Sequence, residues 1–185
     1  MSNPLPPQAF LCEYFEHLKD GRLIYKLRPR CHFATERGYN VAKHHVGKEA
    51  GTEIHKGYRN ITVIRFGVKQ LFLAHRIIWT MHHGEIPANA EIDHKDTNPA
   101  NNRIDNLRIA SSSNNHHNQS ISSANTSGVK GVSWYKSKKR WIAELQTNGV
   151  KQRIGAYKTI EEATVAIQEA RLRLHGEFAN HGTGC

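Results

Sequence analysis

Residues 91–118 read EIDHKDTNPANNRIDNLRIASSSNNHHN. With Ala90 in front, AEIDH has the look of a short strand ending on Asp93-His94. The next residues, KDTNPANNR, are nearly all turn formers and read as a loop. A short apolar run, NLRIA, supplies a second strand, and Ser111 to Ser113 offer N-caps for a short helix carrying Asn115 and Asn118. Those two asparagines are three apart and share a helical face. Asn106 follows His94 by twelve positions, and Asn115 follows Asn106 by nine. The stretch is a compact strand-loop-strand-helix unit whose Asp, His and Asn side chains sit at element ends.

On its N-terminal side, Ala74, Ile77, Ile78 and Met81 recur at spacings of three and four, the mark of an amphipathic helix. That helix should stop near Gly84, with Pro87 beyond. The first seventy or so residues alternate in short bursts such as GRLIYK (21–26) and YRNITVIRF (58–66), broken by glycines, and read as strands. On the C-terminal side, SISSANTSG (120–128) is small and polar and suits a tether. Val129–Tyr135, Arg140–Gln146 and Val150–Tyr157 read as three strands, the last two joined by an Asn-Gly hairpin signal. Thr159-Ile160-Glu161-Glu162 then fits a capping box ahead of the stripe Ala163, Ala166, Ile167, Ala170 and Leu174. The expected fold class is α+β. It comprises a β-rich N-terminal region (1–72), a small core of two strands and a helix (73–119), a linker (120–128), and a separate three-stranded antiparallel sheet packed on one helix (129–180).

The chain has 185 residues, with 26 Lys and Arg against 16 Asp and Glu, a formal charge of +10, and 13 histidines. A large enzyme fold is excluded, and the natural partner is a polyanion. No apolar run approaches the roughly 20 residues that span a bilayer. The N-terminal MSNPLPPQAF lacks a basic segment followed by an apolar one, and Cys12, Cys31 and Cys185 form no CxxC pair. Both features point to a reducing cytoplasm. From Asn125 to Ile160 there are eight Lys or Arg and one acid, Glu144, whereas Glu161 to Glu177 holds four acids and two bases. The sheet, not its helix, should meet the polyanion.

Hydrolysing a phosphodiester needs a hard cation to neutralise the phosphate and the leaving oxygen, and a base near neutrality to take a proton from water. Asp93 and Asn115 offer oxygen ligands suited to magnesium. His94 is the obvious base. Adjacent residues of a regular strand point to opposite faces, so Asp93 and His94 can share one ion only if the site straddles the strand or the backbone is irregular there. The doublets His44-His45, His82-His83 and His116-His117 read as surface or phosphate-contacting residues ahead of a zinc site built with Cys31 and His32. Trp134 reads as a packing residue ahead of a base-stacking one.

The pattern His75-Arg76, Trp79, Gly84, Ile86-Pro87, Ile92-Asp93-His94, Asp96, Asn98-Pro99, Asn102-Arg103-Ile104, Asn106-Leu107-Arg108, Asn115 and Asn118 resembles the His-Asn-His (HNH) nucleases, in their homing-endonuclease branch. The resemblance implies a ββα-metal fold, with one divalent ion (Mg2+ or Mn2+) per active site on Asp93 and Asn115. His94 is then the general base, Asn106 holds the loop that orients it, and His75, Arg76 and Asn118 contact phosphate or support the site from behind. The position of the last histidine is Asn115 here, which favours magnesium over zinc.

The second resemblance is carried by Gly131-Val132, Trp141, Ala143-Glu144-Leu145, Ile154-Gly155-Ala156-Tyr157, Thr159, Glu161-Glu162-Ala163, Ala166 and Ala170. These are similar to the ethylene-response-factor-type DNA-binding domain, which lays its sheet in the major groove. On the matching positions Lys130, Ser133, Tyr135, Glu144, Gln146, Lys151 and Arg153 face DNA, with Lys138 of the KSKK turn beside them. Together the readings imply a site-specific, single-metal endonuclease of double-stranded DNA, a homing enzyme encoded by a phage or mobile element and acting in the bacterial cytoplasm. It has no membrane or small-molecule partner and is expected as a monomer, with a dimer as the alternative. The rival reading is a sequence-specific DNA-binding regulator with a vestigial nuclease core.

Overall fold

The computed structural model of the protein describes residues 4–65, 67–111, 121, 124–147 and 149–181. It is a mixed α and β structure of several small sheets. The residues form two compact units, with the boundary after Ile109, save that Lys95–Thr97 group with the second unit. No helix among the described residues is long and apolar enough to cross a membrane.

The first unit begins with two elements absent from the sequence reading. Helix α1 (Gln8–Tyr14) follows Pro7, and α2 (Glu36–Lys43) starts at Thr35, whose hydroxyl accepts from the Gly38 amide. Both are too short for a 3.6-residue period to register, and α2 holds Gly38, Asn40 and Val41, all weak helix formers. Strands β1 (Phe15–His17) and β2 (Leu23–Tyr25) form an antiparallel hairpin. Strands β3 (Thr52–Glu53), β4 (Arg59–Arg65) and β5 (Val68–Leu73) form an antiparallel sheet in that order, β4 and β5 registering from Asn60↔Leu73 to Arg65↔Val68. Helix α3 (Ala74–His83) follows directly and ends where Gly84 takes φ +82° and donates to the Thr80 carbonyl. The core gathers Leu11 and Tyr14 of α1, Phe15, Leu23, Ile61, Val63, Phe72, Ile77 and Ile78, closed by Ile92 and Leu107 from the next two strands.

Those strands are β6 (Ala90–His94) and β7 (Leu107–Ser111), which pair with each other. The connecting chain includes a 3₁₀ turn at Ile104–Asn106. The helix expected after β7 falls largely on residues 112–120, outside the described residues.

In the second unit, Asn125 and Ser127 build a closed turn. The Asn125 side-chain oxygen accepts from the Ser127 and Gly128 amides, and the Ser127 hydroxyl donates to the Val132 carbonyl at 2.7 Å. Strands β8 (Val132–Tyr135), β9 (Arg140–Thr147) and β10 (Val150–Tyr157) form an antiparallel sheet with β9 central, covered by α4 (Ile160–His175). Thr159 and Glu162 form the full capping box that the sequence suggested. Val132, Ala143 and Leu145 pack on Ala163, Ile167 and Ala170.

Candidate active site

Strand β6 ends on two buried polar residues, Asp93 (6% exposed) and His94 (4%). Burial of such groups is tolerable only with partners, and each has its own. The His94 Nε2 lies 3.1 Å from Asn102 Oδ1. An amide oxygen can only accept, so Nε2 donates, and in the neutral ring the lone pair is then on Nδ1. The Asp93 Oδ2 accepts from both Nε and Nη2 of Arg108, each at 2.9 Å, and Arg108 is nearly as buried as its partner. Strand pairing places Arg108 on β7 beside Asp93 on β6.

The His94 ring packs edge-on against His75 (centroids 5.0 Å) and Tyr58 (6.1 Å), and Tyr58 also lies against His75 at 5.7 Å. His75 follows Ala74 on the inward face of α3 and is 6% exposed. Burial, then the neighbouring His94 and the Arg76 guanidinium, pull its pKa down to about 3. Tyr58 is pushed up, first by burial and then by the Asp93 and Glu91 carboxylates.

A pH dependence follows from His75. An unfolded histidine titrates near 6.5, whereas His75 in the folded protein binds a proton only near pH 3. Between those values the unfolded chain holds a proton that the folded one lacks, so stability is present above about 6.5 and lost as the pH falls toward 3. The limiting slope is about 1.4 kcal/mol per pH unit. Denaturant unfolding between pH 7 and 4.5 should show that slope, and His75→Phe should flatten it; an unchanged slope in the variant places the acid sensitivity elsewhere.

The loop carrying Asn102 is pinned from several sides. The Asn106 side-chain amide donates to the Asn101 carbonyl at 2.8 Å, and the Ala100 amide donates to Asn98 Oδ1 at 3.1 Å. Gly21, in the β1–β2 turn at φ +95°, backs onto the same loop: a Cβ there would stand 2.8 Å from the Arg103 nitrogen and the Asn102 carbonyl carbon. Only glycine fits. The N-terminal hairpin thus braces the residue that holds His94.

Asn102, Arg108 and Tyr58 were given no role by the sequence reading. The first two stand inside its motif, but nothing in spacing alone told which of several asparagines turns inward or that Arg108 pairs with Asp93. Asn115 and Asn118 lie outside the described residues, as do His116-His117. His82 is within 2.8 Å of His17, His83 packs on Trp79 at 4.2 Å, and His45 on Tyr25 at 5.8 Å.

In the second unit, strand register sets the face expected to meet DNA. Arg153 is opposite Glu144, Lys151 opposite Gln146, and Tyr135 opposite Arg140. Partnered residues share a face, and alternation adds Ser133, so Ser133, Tyr135, Glu144, Gln146, Lys151 and Arg153 all lie away from α4 and are exposed. Lys138 is exposed in the turn before β9. Gln146 is partly committed, since its amide donates to the Gly149 carbonyl at 3.0 Å. Lys130 stands apart: it is half-buried, and burial, then nearby Arg171, draws its pKa down to about 8. Trp134 packs on Trp141 at 5.1 Å while staying 47% exposed.

The family model described as HNH endonuclease matches residues 72–117, the segment from the end of β5 through β7. Protein 3.8 of Escherichia phage T7 is 37% identical over 119 residues, covering 63% of this chain and 98% of that protein. A protein of Acanthamoeba polyphaga mimivirus, named as an uncharacterized HNH endonuclease, is 36% identical over 106 residues, 57% of this chain and 54% of its own length. Among solved structures, one described as DNA binding and cleavage by the HNH homing endonuclease I-HmuI aligns with a TM-score of 0.40 at 17% identity, covering 91% of this chain and 88% of that one. The family segment contains His75, Asp93, His94, Asn102 and Arg108, the residues that converge at the end of β6, and the chain, which belongs to one family with protein 3.8 of Escherichia phage T7, carries an HNH endonuclease domain at residues 72–117.

Proposed function

We propose that the protein is a DNA endonuclease whose centre lies at Asp93 and His94, with His94 as general base and the C-terminal sheet holding the substrate. The observation that carries the reading is the buried His94, held through Nε2 by Asn102 at 3.1 Å beside a carboxylate held by Arg108. A base must present one nitrogen lone pair in a fixed direction, and in the neutral ring the Asn102 bond keeps the hydrogen on Nε2 and fixes the ring's orientation. His94 Nδ1 accepts a proton from water as the water oxygen bonds to phosphorus. The phosphorus–ester oxygen bond then breaks and the leaving oxygen takes a proton from solvent while His94 gives its own back to solvent, leaving one phosphate end and one hydroxyl end. Asn106 acts at one remove, keeping the Asn101–Asn102 backbone in place.

Asp93 offers a carboxylate oxygen, to which Asn115, outside the described residues, would add an amide oxygen, a donor pair suited to a hard divalent cation, while the His75 and His94 rings pack on one another and on Tyr58. Magnesium or manganese held there would neutralise the phosphate and the leaving oxygen. Arg108 orients the Asp93 carboxylate. His75 supports the His94 ring, and Arg76 and Asn118 would contact phosphate or support the site from behind.

The test is cleavage of a DNA library with magnesium or manganese, beside the same reaction after exhaustive chelation. Cutting should stop with the chelator while DNA binding largely survives. Full activity after chelation removes the metal role, and binding without any cutting in either metal favours a DNA-binding regulator with a vestigial core. Recovery of products at one preferred sequence supports a site-specific, homing-type enzyme.

Recognition by the outer face of β8–β10 has its own test. Removing a phosphate-contacting lysine lowers the slope of log affinity against log salt by about one, whatever the sequence. Lys151→Ala should do so. Arg153→Ala, if Arg153 reads a guanine, should cost about 1–3 kcal/mol at the preferred site and relax choice at one position. Affinity and choice unchanged in both variants would move recognition off this sheet.

A further inference from the structure

The first unit contains a cavity of about 500 Å³ away from the His94 residues, between the β2 end, the following loop and α2. Its chemistry is unusual for a packing defect. Lys26, Arg28 and Arg37 line it, and no Asp or Glu is among the described lining residues. Arg28 is the decisive residue. It is 8% exposed, its guanidinium stacked 3.7 Å from the Tyr14 ring centre and 4.3 Å from that of Phe33, and its Nη1 is buried with no hydrogen-bond partner. Ring faces attract the charge but accept few of its five donors. Burial accordingly pulls the guanidinium pKa down. Of the acids on this side of the unit, Asp20 pairs with Arg22 at 2.8 Å, Glu36 with Arg30 at 2.9 Å, and Glu13 with the cavity-lining His32 at 2.9 Å.

The Nη1 atom itself is sealed from the cavity, but Arg28, Lys26 and Arg37 together, with no Asp or Glu among the described lining residues, leave a positive wall that an anion from outside would complete. The rest of the wall is aromatic and aliphatic: Tyr25, Phe33 and Val41 offer flat or apolar surface for an uncharged ring beside that anion. The volume lies within the range of small-molecule sites. We propose that this cavity binds a nucleotide, its phosphate on Arg28 and its base against the Tyr25 and Phe33 side of the wall. The choice of a nucleotide among aromatic anions rests on the nuclease reading; the anion site does not. The nucleotide comes either as a free nucleoside monophosphate or as a unit of a single DNA strand.

The test uses the full chain and requires no cleavage. Calorimetric titration with each 2′-deoxynucleoside 5′-monophosphate, with inorganic phosphate, with phenyl phosphate and with a short single-stranded oligonucleotide separates the possibilities. Expected is binding of at least one mononucleotide about tenfold or more tighter than inorganic phosphate, and tighter than phenyl phosphate. Oligonucleotide affinity well above the mononucleotide's assigns the site to a strand, and the reverse to free nucleotide. Arg28→Met keeps the stacked bulk but not the donors, and should weaken binding about 10- to 100-fold. Its ligand-free thermal midpoint should be no lower than the parent's, because an unpaired buried charge has been removed. Val41→Trp, at a half-exposed position of α2, fills the cavity without touching Arg28 and should also abolish binding. Equal binding by both variants, no nucleotide binding by the parent, or a ligand-free Arg28→Met protein markedly less stable than the parent overturns the proposal. The last outcome makes Arg28 a structural residue. Phenyl phosphate binding as well as any nucleotide overturns the nucleotide assignment, and His94→Ala protein that binds normally but does not cut separates this site from the nuclease centre.

Discussion

Changing His94 to alanine should slow the chemical step of DNA cleavage about 10²- to 10⁴-fold, the usual worth of a positioned general base, with DNA affinity little changed. The size follows from where the ring sits. It is 4% exposed at the end of β6, with Nε2 committed to Asn102 at 3.1 Å. Among the described residues His75 is the nearest imidazole at 5.0 Å, but it faces the core and its depressed basicity makes it a poor proton acceptor. Single-turnover rates with saturating enzyme isolate the step, and circular dichroism confirms that the variant folds. Asn102→Leu gives a second readout. Without the Oδ1 acceptor the ring can take either tautomer, so the rate should fall by a smaller factor and the pH–rate profile should shift, which a purely structural role would not produce. If His94→Ala cut normally and bound poorly, His94 would be a substrate contact and the assignment of the base would fail.

Several elements were legible because local chemistry and long-range packing agree on them. Helix α4 has a capping box and an apolar stripe, and β8–β10 alternate with one face covered; each residue's environment follows from its own position in the period. The same holds for α3, where the stripe of Ala74, Ile77 and Ile78 faces the core. His75 shows where such reading stops. It lies on that stripe, and its partner is His94, brought to it by a strand far along the chain. Asn102 and Arg108 are of the same kind. One is chosen among the asparagines of the loop because the β1–β2 turn at Gly21 presses on its backbone. The other meets Asp93 because β6 and β7 pair. Helices α1 and α2 were missed for a different reason. Each is about two turns long; α1 is held by what it packs on, with Leu11 and Tyr14 in the core, whereas α2 buries none of its residues and starts from the Thr35 cap.

The pairing of Arg108 with Asp93 carries the largest expected effect on stability. Removing one member of a buried ion pair strands the other charge in a medium that solvates it poorly, at a cost of about 3–5 kcal/mol, whereas replacing both members by neutral groups is often close to neutral. Arg108 and Asp93 are 11% and 6% exposed at the side chain, with two 2.9 Å bonds converging on one oxygen. Arg108→Ala should therefore lower the unfolding free energy by about 3–5 kcal/mol in denaturant titration, and Arg108→Lys should fail to restore it, because an ammonium cannot reproduce the forked contact. The double variant Asp93→Asn with Arg108→Met should recover most of the loss, since no charge is left to strand. It should nevertheless be inactive as a nuclease, because the Asp93 carboxylate is gone. Recovery of stability without recovery of cutting separates the two uses of that carboxylate, one in holding β6 to β7 and one in the chemistry. An Arg108→Ala protein as stable as the parent would mean that the Asp93 charge is satisfied without Arg108, and cleavage by the double variant at the parent's rate would remove Asp93 from the reaction.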